Sequence, residues 1–297
     1  MSTYLVISPH LDDAVLSCGA QIASWTADGH TVFVATVFNM AAESHAQHYA
    51  QRIHDNETAI ALLGAKAIYL NFMDAPFRNP AFHNFSTILL HDQLPATALE
   101  VTTTLGPILQ MVVHSVVADA VYFPLAIGGH VDHLIVYACS KQYWKTNTPV
   151  YYYEDLPYAL VPGWRTVRWL QHGAVPASIL PAKDLPPTRL QDIPLAFLKN
   201  YMSGEADRQT SEALHAAQQA ALLPAMAGAC SWTLTENVFH VNKFTFDQSY
   251  FRQKIAAIRC YTSEWPVLFG PTEKDIVNSL GQPGNPNGYT EIYWTLK

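Results

Sequence analysis

His10, Asp12 and Asp13 crowd into four positions of the stretch VISPHLDDAVLSCGA. A second group, His130 and His133, lies far along the chain in YFPLAIGGHVDHLIVYA. Imidazole and carboxylate are donors that zinc accepts, and a catalytic zinc site uses three protein groups and leaves one position open for water. The metal lowers the pKa of that water to ~7. His10, one of the two aspartates and one of the two later histidines make a two-nitrogen, one-oxygen set. The second aspartate is then free to take the water's proton, and the second histidine to donate to a substrate. The same set suits Fe(II), so the residues alone do not choose between zinc and iron. An aspartate at a helix start also caps orphan N–H groups and favours the helix dipole. That explains one carboxylate, but not two beside a histidine.

Such a site needs a backbone that brings distant segments together. Apolar runs at Tyr4–Ser8, Val32–Phe38, Ala67–Phe72, Ala120–Pro124 and Val150–Tyr153 read as strands. Helical spacing follows the first and ends near Gly29. It recurs over about 45–63 with Gly64 as a C-cap residue, over about 96–116, and over about 131–143. The alternation predicts an α/β fold: a Rossmann-like, mostly parallel sheet with helices on both faces. Open sheets of this kind bind ligands at the carboxyl ends of their strands. Both histidine motifs follow a strand, and residues three apart such as His130 and His133 share one side of a helix. Gly128 and Gly129 allow close backbone approach just before them.

The second half of the chain reads differently. The stretch Pro176–Pro194, PASILPAKDLPPTRLQDIP, cannot be continuous helix, and 176–210 is a candidate lid. Helices are expected over about 211–222 and 250–260, and GQPGNPNGYTEIYW is turn-rich until its end. The expected organisation is a catalytic core over 1–175. A Pro-rich loop and a C-terminal helical or irregular extension over 176–297 pack on it as one compact domain.

Composition narrows the function. The 297 residues carry a formal charge of −7 and no Lys/Arg cluster fit to neutralise phosphates, so nucleic acid is not an expected partner. No leader pattern and no uninterrupted apolar span is read, which predicts a cytoplasmic protein without a membrane span. The sequence is compatible with a homo-oligomer. Cys18, Cys139, Cys230 and Cys260 are scattered, which argues against a disulfide framework and a closed Cys-type zinc site. No G-x-G-x-x-G follows the first strand, against a dinucleotide binder. His45, His48 and His54 read as a solvated helix face rather than a second metal site.

SPHLDDAVLSCG together with PLAIGGHVDH resembles the PIG-L/LmbE-like family of zinc-dependent N-deacetylases. LNFMDAPFRN, YYYEDLPYA, KIAAIRCYTSEW and the terminal EIYW are similar to elements of one branch. Leu11 and Ala14 depart from a common Pro and Glu of the motif, neither of them a ligand. The resemblance implies zinc on His10, Asp13 and His133, Asp12 as general base, and His130 as oxyanion partner that hands a proton to the leaving amine. It also implies an Arg-x-x-acid near the pocket, at Arg52 and Asp55. Asp74 and Arg78 follow the third strand at the same sheet edge and are candidate substrate contacts, as are Glu154 and Asp155. The expected substrate is a small N-acetylated molecule that contains an amino sugar; the abundant Tyr and Trp suit stacking on sugar rings. The alternatives are an amidase of the same fold acting on another N-acyl compound, such as a thiol conjugate or antibiotic intermediate, and a catalytically silent binding protein.

Overall fold

Apolar, β-branched and aromatic runs form five strands in the computed structural model of the chain, which describes residues 1–141, 147–172, 189–202, 204–226, 239–281 and 289–296. They are β1 (Thr3–Ser8), β2 (Thr31–Met40), β3 (Lys66–Met73), β4 (Ala120–Pro124) and β5 (Val150–Tyr153). Neighbours pair in parallel, in the order β3-β2-β1-β4-β5. Leu5, Val6 and Ile7 of β1 are fully buried, as a central parallel strand covered on both faces requires. Helices α1 (Asp13–Ala27) and α2 (Ala46–Leu62) follow β1 and β2. Helix Leu99–Val116 precedes β4, and helix Val131–Ser140 follows it.

From β1 the chain crosses to β2 on one side, and from β4 to β5 on the other. The strand order therefore reverses between β1 and β4, and a crevice opens at their carboxyl ends. That crevice is where the two histidine motifs emerge.

Two further strands were not foreseen. β6 (Phe239–Phe246) and β7 (Tyr289–Leu296) extend the sheet, β7 antiparallel to β5 and β6 antiparallel to β7. The full order is β3-β2-β1-β4-β5-β7-β6. FHVNKFTF mixes apolar and polar residues at a sheet edge, so it lacks the continuous apolar run that marked the central strands. Residues 176–188 of the Pro-rich stretch and Cys230 lie outside the described residues. Within the candidate lid, Leu190–Asp192 form a short 3₁₀ turn and Ala196–Tyr201 a short helix, and the helix expected over about 211–222 runs from Glu205 to Met226.

The C-terminal part is bound into the core by a buried ion pair. Lys254, on helix Gln248–Ile258, places Nζ 2.7 Å from Glu291 Oε1 of β7. The same carboxylate accepts from Ala20 N at 3.0 Å and Gln21 N at 2.9 Å within α1, and from Tyr293 Oη at 3.0 Å. Gly19 makes room for the lysine stem: a Cβ there would sit 2.9 Å from Lys254 Cγ.

Among the described residues one helix, Ala96–Val116, is long and apolar enough to cross a membrane, with mean hydropathy 1.2. In the structure it buries Leu105, Leu109 and Val113 against the core, carries Pro107 in its interior, and leaves Leu99 and Met111 exposed.

Candidate metal centre

The turn after β1 is tied by side chains. Ser8 Oγ donates to His10 O at 2.6 Å and accepts from Ala14 N at 3.0 Å. His10 N donates to Asp13 Oδ2 at 2.8 Å. Asp12 occupies the N-cap position of α1, yet its side chain makes no capping bond. The capping explanation therefore does not account for Asp12, whose carboxylate faces the crevice instead.

The turn after β4 runs through Gly128 and Gly129, at φ +84° and +63°. A Cβ on Gly129 would lie 2.3 Å from the carbonyl oxygen of His91, so only glycine admits this approach. His130 then caps helix Val131–Ser140, its Nδ1 accepting from Asp132 N at 3.1 Å. An accepting Nδ1 places the proton of the neutral ring on Nε2. Burial, followed by His10 and His133, holds the His130 pKa well below the ordinary value, so the ring is neutral.

The donor atoms converge. His10 Nδ1 is 3.2 Å and His133 Nε2 3.3 Å from the same Asp13 Oδ2. His133 is fully buried, and its Nε2 has no hydrogen-bond partner. An orphaned buried ring nitrogen aimed at a carboxylate and a second imidazole is what a metal ligand looks like before the ion is added. The far nitrogen of each ring rests on a buried carboxylate: His133 Nδ1 on Asp155 at 2.6 Å, His10 Nε2 on Asp132 at 3.2 Å. Such partners fix ring orientation and raise ligand basicity.

Burial alone would raise the Asp13 pKa, but His133 and His10 hold it well below the usual carboxylate range. Burial alone would lower that of His133, and Asp13 with Asp155 pushes it up to about 9. The carboxylates that favour a proton on these rings equally favour a cation between them.

His10, His130 and Asp132 also lie close enough to share an ion. That set is already spent: Asp132 accepts from Arg78 Nη2 and, at 3.0 Å, from Ala75 N, while His130 Nδ1 holds the Asp132 amide. The donor chemistry therefore favours His10, Asp13 and His133, with two nitrogens, one oxygen and an open side toward the crevice.

The crevice is a cleft of about 400 Å³ that includes His10, Asp12, Asp13 and His130 in its lining. Burial, then the Asp13 carboxylate, raises the Asp12 pKa to about 6. Arg52 and Asp74 also line the cleft. Arg52 Nε lies 3.2 Å from Glu264 Oε1, and Asp74 accepts from Tyr49 Oη. Asp55 does not pair with Arg52; it accepts from Thr262 N and Oγ1, each at 3.1 Å. His45 and His48 stand exposed at the rim.

Three expected substrate contacts are corrected by the geometry. Arg78 is turned away, donating to Asp132 and to Met73 O at 2.8 Å. Glu154 accepts from Arg165 Nη2 at 2.6 Å and Trp294 Nε1 at 3.1 Å. Asp155 is fully enclosed beneath His133 and also accepts from Ile127 N at 2.9 Å. None of the three lines the cleft. Asp132, Glu264, Tyr158 and Tyr201 were missed. Asp132 had a signal, since a carboxylate between two candidate ligands on one helix turn is poised to orient a ring. Replacing Asp155 with Asn should weaken metal binding by ~10–100-fold, read by titration against a chelator, because His133 loses its charged partner.

An open α/β sheet with a two-histidine, one-carboxylate cradle at its switch point defines the class of protein. Residues 5–144 match the family model described as PIG-L, GlcNAc-PI de-N-acetylase. The 2'-N-acetylparomamine deacetylase of Streptomyces fradiae is 32% identical over 166 residues, covering 52% of this chain and 57% of that protein. The match thus spans little more than half the length of that relative. Teicoplanin deacetylase in complex with teicoplanin superposes with a TM-score of 0.64 at 20% identity, over 99% of this chain and 98% of that one. Its zinc-inhibited form gives 0.64 at 20% identity, over 100% and 98%. The A40926 pseudoaglycone deacetylase Dbv21 gives 0.60 at 20% identity, over 99% and 96%. These structures share the fold along nearly the whole chain.

Proposed function

We propose that this chain is a metal-dependent N-deacetylase that hydrolyses the N-acetyl group of a small molecule containing an amino sugar. The observation that carries this reading is the unpartnered, buried His133 Nε2 facing His10 Nδ1 and Asp13, with the uncapped Asp12 beside them in an open cleft. The name of the Streptomyces fradiae relative, a deacetylase of an N-acetylated paromamine, supports the acyl group and substrate class.

His10, Asp13 and His133 would hold the ion, zinc by the chemistry of the set. A bound zinc ion supplies a Lewis acid for the acyl carbonyl and lowers the pKa of water. Asp12 takes the proton from the attacking water. His130, neutral and protonated at Nε2, donates a hydrogen bond to the oxygen on which negative charge develops, usually a large catalytic contribution. The nitrogen leaves as an amine after receiving from Asp12 the proton taken from the water, while His130, neutral, keeps its own. Arg52 and Asp74, on the cleft wall, are positioned to contact the sugar.

The test is metal analysis of the purified protein followed by acetate release from a panel of N-acetylated amino sugars and aminoglycosides. About one zinc per chain and acetate release from at least one panel member is the expected result. Failure to retain any metal, or a loaded protein that releases no acetate from any of them, would sink the reading.

A further inference from the structure

The lining of the cleft has two parts of unlike chemistry. The cradle, together with Arg52, Asp74 and Glu264, is polar. One segment, residues 75–92, contributes Pro76, Phe77, Phe85, Ile88 and Leu89. None of these side chains carries a hydrogen-bonding group. His83 is the one polar side chain that this segment adds to the lining.

The wall is pinned in place. Asp207, buried on helix Glu205–Met226, accepts from Phe85 N at 3.3 Å, Ser86 N at 3.0 Å and Ser86 Oγ at 2.5 Å. Further on, Leu90 N donates to Gly128 O at 2.8 Å and His91 N to Gly129 O at 3.2 Å. Gln218 Nε2 adds a bond to Leu90 O at 3.3 Å. The wall is thus fastened to the turn that carries His130 and, 122 positions away in sequence, to Asp207. With its backbone held this way, it cannot swing polar groups toward a ligand without breaking several bonds.

A bare N-acetyl hexosamine exposes hydroxyl groups around most of its ring. Turning them against this wall strips their water and returns no hydrogen bond, which disfavours binding. An apolar ring attached to the sugar loses nothing there and buries surface. We propose, resting on the deacetylase reading above, that the 75–92 wall selects N-acetylated amino sugars bearing an aromatic aglycone. Asp207 is the residue that positions that wall.

The probes are the methyl and 4-methylumbelliferyl glycosides of N-acetylglucosamine. Acetate release is followed on the zinc-loaded enzyme, and equilibrium binding on zinc-loaded Asp12→Asn, which suppresses turnover. The aryl glycoside should be favoured by ~10-fold or more in kcat/KM, carried by KM, and by a similar factor in Kd, the size of discrimination an apolar pocket provides. Phe77→Ser and Ile88→Ser should abolish the preference, read as equal Kd values for the two glycosides in the zinc-loaded Asp12→Asn background. Asp207→Ala should lose it too, and Asp207→Asn, which keeps an acceptor for Ser86, should restore most of it. Equal Kd values for the two glycosides, or a preference that survives both serine variants, overturns the inference. Tighter aryl binding without acetate release from either glycoside leaves the wall standing and counts against the deacetylase reading instead.

Discussion

Asp12→Asn should keep its metal and lose ~10²–10⁴-fold in kcat, the usual contribution of a positioned general base. Asn has the shape of Asp and keeps one oxygen, but it cannot take up a proton at neutral pH. The capping role does not compete as an explanation, because the Asp12 side chain makes no capping bond. Stability should therefore change little, and metal content not at all, since His10, Asp13 and His133 are untouched. Full activity with zinc retained would remove Asp12 from the role. A pH profile adds an independent check. Asp12 acts ionised, so activity falls as pH drops and the group takes up a proton. Burial and Asp13 set that uptake at about 6, and a bound dication lowers it. The acid limb should accordingly lie at or below about pH 6.

The second large effect is on stability. Glu291→Ala should destabilise the fold by ~3–5 kcal/mol, the cost of leaving a buried charge without its partner. Lys254 is 4% exposed, so its ammonium cannot turn out to water without disturbing the packing of helix Gln248–Ile258 against α1. The substitution also strips acceptors from Ala20 N, Gln21 N and Tyr293 Oη. Lys254→Met should cost less, because the carboxylate keeps those three donors and the methionine fills the channel beside Gly19. Urea denaturation at neutral pH reads both variants. The reverse order of cost would mean that the lysine, not the carboxylate, organises the site.

The candidate metal cradle was legible because coordination chemistry admits few residue types. His10, Asp12, Asp13, His130 and His133 could be named from type, spacing and the strands before them, and the structure brings all five together. The five parallel strands were legible for a related reason: buried on both faces, they are written as unbroken apolar runs. What failed was direction. Glu154 and Asp155 are adjacent and equally acidic, yet one turns to Arg165 and Trp294 and the other to His133. A charge at a sheet edge reads the same whether it faces the cleft or the residues beneath it, and Arg78 was misplaced for that reason. Glu264 and Tyr201 reach the cleft from the far end of the chain through tertiary packing, which leaves no periodic trace. β6 was hidden by its mixed edge pattern, and β7 by the turn residues before it.

The carboxylate of Glu291 bears on the order of events in the cell. Ala20 and Gln21 leave the ribosome well before Glu291, and the group that receives their amide protons is made some 270 positions later. Until then the helix that begins at Asp13 lacks one of its fastenings, and Lys254 has no counter-charge. A nascent chain is thus kept from fastening this helix early, and translation arrested before residue 291 should yield protein that is readily digested by protease. Long-range closures of this kind slow folding and prolong the exposure of apolar surface.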